Sequence, residues 1–202
     1  MGNCDARLSG KFARICGHKP KQGLVRKWYI NWEDIDREAT QTTNRGTKVE
    51  LLVLKADAKI YPAEGNNKTS KANHAYNKAD FGGGYIHTDN FTVMYRGERE
   101  RERIQELVDG AKVVTIIEKV DGGLNGELAF ELVGMESGMT VTEDTWSSSE
   151  NSGTTLLTVA TEEGEEELTG VKLFLQNTYT ETLDFIKANE YGDPPAPPEQ
   201  SR

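Results

Sequence analysis

The sequence predicts an α+β fold that is mainly β: an antiparallel β-sandwich or small barrel carrying one packed α-helix, a long loop and a short C-terminal helix. Three observations lead there. Short runs rich in Val, Ile and aromatics recur along the chain, each bounded by Gly, Asn or Asp. A single charged segment in mid-chain has helical spacing and a glycine stop. The order of strands, then one helix, then strands favours neighbouring antiparallel pairs over repeated βαβ crossovers.

At 202 residues and 22.5 kDa the chain suits one domain with long excursions. Residues 1–23 are expected to form a basic N-terminal arm, because Leu8, Phe12 and Ile15 are scattered among Lys and Arg while Gly10, Gly17 and Gly23 interrupt any helix. The β-sandwich domain spans 24–190. Its first strand is Leu24–Asn31 (LVRKWYIN), followed by the turn-prone segment 32–36. The second, 48–55 (KVELLVLK), has a nearly continuous apolar centre that predicts burial on both faces, with 58–61 extending it past a bulge.

Residues 62–85 are rich in Gly, Asn, Lys and Ser and lack apolar periodicity, so they read as a long loop insertion ending at Gly82, Gly83 and Gly84. Period two returns over 87–96, where Phe91, Val93 and Tyr95 alternate with Thr92, Met94 and Arg96. The helix over 97–109 places Ile104, Leu107 and Val108 on one side and stops at Gly110. Segments 112–120 and 127–133 are predicted to form a hairpin, since the Asp-Gly and Asn-Gly pairs between them tolerate positive φ. Strands over 154–161 and 170–176 flank the acidic turn 162–167, whose five glutamates are expected to face water or cations. Thr178 or Thr180 caps a last helix running through Asn189, and 191–202, containing PPAPP, is a flexible Pro-rich tail.

The net charge of −9, the pI near 5.0 and the mean hydropathy of −0.65 exclude neither a globular core nor large solvated loops. They argue against a protein built to grip phosphate, which needs a basic surface. The charge is uneven: residues 1–30 hold seven basic side chains and one acid, Asp5, so the arm is suited to a neighbour's acidic face. No stretch approaches the roughly 18 apolar residues needed to span a bilayer, and no signal-peptide pattern opens the chain. The expectation is a cytoplasmic protein without membrane contact, with Cys4 and Cys16 as thiols.

Candidate chemistry is sparse. Cys4, Cys16 and His18 offer three zinc ligands, but structural zinc sites pair close cysteines and need a fourth ligand. His74 and His87 have no nucleophile or acid-base partner in a recognisable pattern and read as solvent-exposed. Gly82 to Gly84 lack the strand and helix context of a phosphate cradle and read as a hinge or a close-contact point. Glu143, Asp144, Glu150 and the glutamates of 162–167 do not follow a calcium-loop spacing. Arg99, Arg101 and Arg103 alternate with Glu98, Glu100 and Glu102, which points to pairing within the helix. No catalytic, cofactor or metal residue is therefore assigned, and the chain is read as a non-enzyme.

The order from Phe91 to Val141 is FTVMYR, then the helix RERIQELVDG, the strand KVVTIIEKV, the turn DGGLNG, and ELAFELVGMESGMTV with Gly134, Gly138 and a strand after them. This order resembles the tail tube (major tail) proteins of tailed phages and prophages of Bacteroidota. The segment MGNCDARLSGKFARIC with its two cysteines and the closing strand SGTTLLTVAT add to the resemblance, while the 62–85 insertion and the chain beyond about residue 165 depart from it. The resemblance implies a virion protein that forms homo-oligomeric rings, generally hexameric, stacked into a hollow tail tube. Double-stranded DNA passes through transiently without sequence-specific binding, other phage tail proteins are partners, and 62–85 becomes an inter-subunit arm. The expected location is the virion tail, and the host cytoplasm during assembly. Rival readings are a tail terminator, a head decoration protein or a baseplate adaptor, or a carbohydrate-binding module using Trp28, Trp32 and Trp146, the last in a turn-like stretch.

Overall fold

The computed structural model describes residues 8, 10–12, 16–43, 45–64, 70–79, 82–150 and 153–192. Alternation along two strands explains how the molecule is layered. In β1 (Leu24–Asn31), Lys27 and Tyr29 point to one side and Trp28 and Ile30 to the other. In β7 (Val113–Lys119), antiparallel to β1 with Trp28 opposite Ile116, residues 113–118 are all buried. Strands apolar on both faces need cover on both, and the rest of the fold supplies it.

The sheet around them has seven strands in the order β2 (Gln41–Thr42), β3 (Lys48–Leu51), β11 (Lys172–Phe174), β8 (Phe130–Val133), β7, β1, β4 (Ile60–Pro62). All its pairs are antiparallel except β11 with β3. A second sheet has four strands, β5 (Lys71–Ala79), β6 (Gly82–Val93), β10 (Thr155–Ala160) and β9 (Thr140–Trp146), every pair antiparallel. Val113, Ile117, Val133, Met139 and Val159 fill the space between the sheets. On the far face of the larger sheet α2 (Tyr179–Ala188) seals Phe130, Leu132 and Phe174 with Ile186, Leu183 and Tyr179. The result is an α+β, mainly β sandwich, and among the described residues no sheet closes into a barrel.

Both helices form where the pattern placed them. Thr178 caps α2 by accepting a hydrogen bond from the Glu181 N–H at 3.2 Å. α1 (Glu98–Val108) buries Ile104 and half-buries Leu107, but Val108 is exposed, because the helix lies at the margin of the sandwich rather than across it. The β7–β8 hairpin is present, with Gly123 and Gly126 at positive φ in its connection.

Three expectations are corrected. Segment 62–85 is mainly strand: Lys71–Ala79 pairs with β6 in one hairpin with His74 opposite His87, while 65–69 and 80–81 lie outside the described residues. Its strand β5 is exposed along most of its length, so no buried face demanded the apolar alternation that marks a strand in sequence. Residues 58–61 do not prolong the second strand. The chain turns at Asp57, which has φ 63°, and β4 pairs with β1 at the opposite edge of the sheet, Ile60 against Ile30. Trp146, expected in a turn, ends strand β9. The arm residues 1–7, 9 and 13–15 and the tail from 193 lie outside the described residues.

Candidate functional site

The two sheets treat their edges differently. The seven-stranded sheet ends in β2, two residues long, and β4, three residues long. The β4 edge is also covered: Ile60 N–H donates to the Asn189 carbonyl at 2.9 Å and Tyr191 N–H to the Ile60 carbonyl at 2.8 Å. The four-stranded sheet ends in β5, nine residues, and β9, seven residues, and among the described residues no strand lies outside either. Long uncovered edges present rows of unpaired backbone donors and acceptors, which proteins normally shorten, charge or cover.

The face of this sheet turned away from the core is mainly polar, with Ile86 and Leu156 as its large apolar members. Register puts Lys71, Asn90, Thr158 and Glu143 in one row and Asn73, Thr88, Ala160 and Thr140 in the next. Asn90 donates to the Thr158 hydroxyl at 2.8 Å, tying neighbouring strands. The hairpin runs beyond β10, whose last pair is Ala160 with Thr88, for six residues of β6, which at the usual rise is about 20 Å.

On the inner face a buried polar group joins the sheets. The Lys27 ammonium donates to Asp89 Oδ1 and, at 2.9 Å, to the Asn90 carbonyl. The Tyr29 hydroxyl and the Thr115 hydroxyl donate to Asp89 Oδ2 at 2.9 and 3.2 Å. Asp89 and Thr115 are fully buried and Lys27 nearly so. Burial raises the Asp89 carboxyl and lowers the Lys27 ammonium despite their pairing, and pushes the Tyr29 hydroxyl well up.

A second polar cluster lies at the base of the hairpin and overturns two expectations. His87 is not solvent-exposed but fully buried: its Nδ1 accepts from Gly134 N–H at 2.9 Å and its Nε2 donates to the Thr169 carbonyl at 3.1 Å. The alternation that puts His87 on the face of Asp89 and Phe91 was the available signal. Glu167, the last glutamate of the acidic turn, does not face water either. Its carboxylate is buried and accepts from Glu136 N–H at 2.8 Å and Ser137 N–H at 3.0 Å, inside a turn where Gly134 and Gly138 hold positive φ. No local pattern distinguishes it from its neighbours, of which 162–165 are exposed. His74 is exposed, as expected.

The other candidate residues are dispersed. Cys16 is exposed, His18 lies 3.3 Å from Asp121, Cys4 lies outside the described residues, and among those described no group of three or more His, Cys, Asp or Glu is placed to hold a metal ion. Gly82 to Gly84 lie in strand β6, not in a loop, and Gly84 is a close-contact point. Glu143, Asp144 and Glu150 are exposed. The arginines of α1 do not pair within the helix: Arg101 donates to the Arg96 carbonyl at 3.2 Å and the Arg103 guanidinium lies over the Tyr191 ring. Trp28 is in the core, Trp32 lies under the Arg37 guanidinium and Trp146 under that of Arg96, so the three form no common stacking face. No helix among the described residues is long and apolar enough to cross a membrane. Comparison with protein-family models, with curated proteins and with solved structures finds no match.

Proposed function

We propose that this protein is a non-enzymatic structural subunit that polymerises through the open edges of its four-stranded sheet, as a phage tail tube protein does. The observation that carries the reading is the edge contrast: β2 and β4 are short and β4 is covered, whereas β5 and β9 are long and, among the described residues, have no strand beside them on the outer side. Strand directions alternate across β5, β6, β10 and β9, so β9 runs opposite to β5. Subunits related by rotation about a ring axis then present β9 of one to β5 of the next in antiparallel sense. Such a heterologous join closes into a ring when the rotation permits.

In that ring the outward face of the sheet lines the lumen. Its Thr, Asn and Ala residues, with Lys71 balanced by Glu143 in the same row, offer a polyanion few fixed cations, which suits passage rather than binding of DNA. The projecting hairpin is the inter-subunit arm. Negative-stain electron microscopy and sedimentation over a concentration series test the reading. Rings or hollow tubes of even diameter are expected, and replacing residues 77–83 by a two-residue Asn-Gly turn should abolish stacking while leaving the fold intact. A strictly monomeric species at every concentration refutes it.

A further inference from the structure

The segment following the acidic turn crosses the base of the β5–β6 hairpin and holds it at several points. Tyr85 and Glu167 exchange backbone hydrogen bonds of 2.7 and 2.9 Å, adding a short third strand beside β6. The buried His87 ring bridges the Thr169 carbonyl on one side and Gly134 N–H on the other. Val171 N–H donates to His74 Nδ1 at 3.2 Å. From the body, Glu136 accepts from Leu168 N–H at 2.7 Å and pairs with the Lys172 ammonium at 2.7 Å, and Lys172 also donates to the Gly46 carbonyl at 2.7 Å. The contact with β6 requires the absence of a side chain at Gly84, where a Cβ would lie 2.4 Å from that of Glu166.

We propose that residues 166–172 are a latch on the base of the hairpin, held shut by a neutral His87 and by Glu167 seated in the Gly134–Gly138 turn. It belongs to the single chain and operates whether or not the hairpin meets another subunit. The bonding pattern demands neutral His87, since Nδ1 must keep its lone pair for Gly134 while Nε2–H serves Thr169. The charged and titratable groups facing His87 are His74 from β5, Lys172 from β11 and Glu136 from the turn, and those facing Glu167 are Glu136, Lys172 and Arg37.

The two clamps respond to protons in opposite directions. Burial lowers His87 from 6.5 to about 4, so the closed latch holds fewer protons than the open one and closure strengthens as pH rises through that window. Burial raises Glu167 from 4.5 to about 7, so closure weakens as pH rises through that one. Where the windows overlap, from pH 4.5 to 6.5, the effects cancel, and the latch is compensated against pH.

Amide hydrogen exchange of Tyr85, Glu167 and Leu168, corrected for intrinsic rate, tests this between pH 4.5 and 6.5 in the full chain and in Glu167→Gln and His87→Gln. Protection in the unaltered chain should change by less than about threefold. Integrated between those two pH values, the linkage makes it rise by about 40-fold in Glu167→Gln and fall by about 40-fold in His87→Gln. A flat profile in either folded variant overturns the proposal, as does a parallel change at Ile116 in β7, which would assign the titration to global unfolding. Should His87→Gln not fold, Gly84→Val decides with Glu167→Gln: it should expose the Tyr85 and Glu167 amides at least about tenfold while sparing Ile116, and unchanged protection overturns the latch.

Discussion

Replacing Asp89 by Asn should cost more than any surface substitution in the molecule, because it leaves the Lys27 ammonium buried without its counter-charge. Lys27 is 5 % exposed and Asp89 0 %, so water cannot take the place of the missing carboxylate. Breaking one partner out of such a pair costs about 3–5 kcal/mol. With a urea m-value of about 2 kcal/mol per M for a domain of this size, the unfolding midpoint should fall by about 2 M. The pair itself adds little net stability, since burial disfavours both charged forms even when they are paired. The double variant Lys27→Met/Asp89→Leu should therefore recover most of the loss. It still strands the hydroxyls of Tyr29 and Thr115, which donate to Asp89 Oδ2 at 2.9 and 3.2 Å. Adding Tyr29→Phe and Thr115→Val should bring stability to the original value or above it by about 1–4 kcal/mol. Urea unfolding followed by tryptophan fluorescence reads all three variants. A loss below about 1 kcal/mol for Asp89→Asn would refute the reasoning, because it would mean that solvent reaches Lys27.

Further substitutions probe other parts of the fold. Phe130→Ala removes a fully buried ring that stacks on Tyr179 at 5.2 Å, and should cost about 3–5 kcal/mol in the same unfolding assay. Thr178→Ala deletes the α2 cap and should cost about 1 kcal/mol, with exchange at the Glu181 amide rising first. Gly138→Ala forces a side chain into φ 77° with its Cβ 2.9 Å from the Trp32 ring, and should destabilise by at least about 1–3 kcal/mol with a change in the Trp32 fluorescence.

The features legible in the sequence were those whose cause lies within a few residues. β1 occupies Leu24–Asn31, the predicted run, because its β-branched and aromatic residues must be covered and its turn follows at once. The β7–β8 hairpin follows from glycines able to take positive φ, and α2 from a threonine placed to cap it. Strand β5 stayed hidden because most of its residues meet water, and exposed backbone pairing imprints no apolar period. The neighbours of β4 and β11 were equally invisible: β4 lies against β1 and β11 against both β3 and β8, pairings between segments far apart in the chain. The same separation decided the polar clusters. Lys27 meets Asp89 across 62 residues and His87 meets Thr169 across 82. Sequence by itself determined where the chain extends, coils and turns wherever a buried face or a turn residue marks the element, since those choices are settled by local sterics and side-chain periodicity. Only the tertiary structure decided which edges stay open and which charges are buried, since both depend on what distant segments bring to cover them.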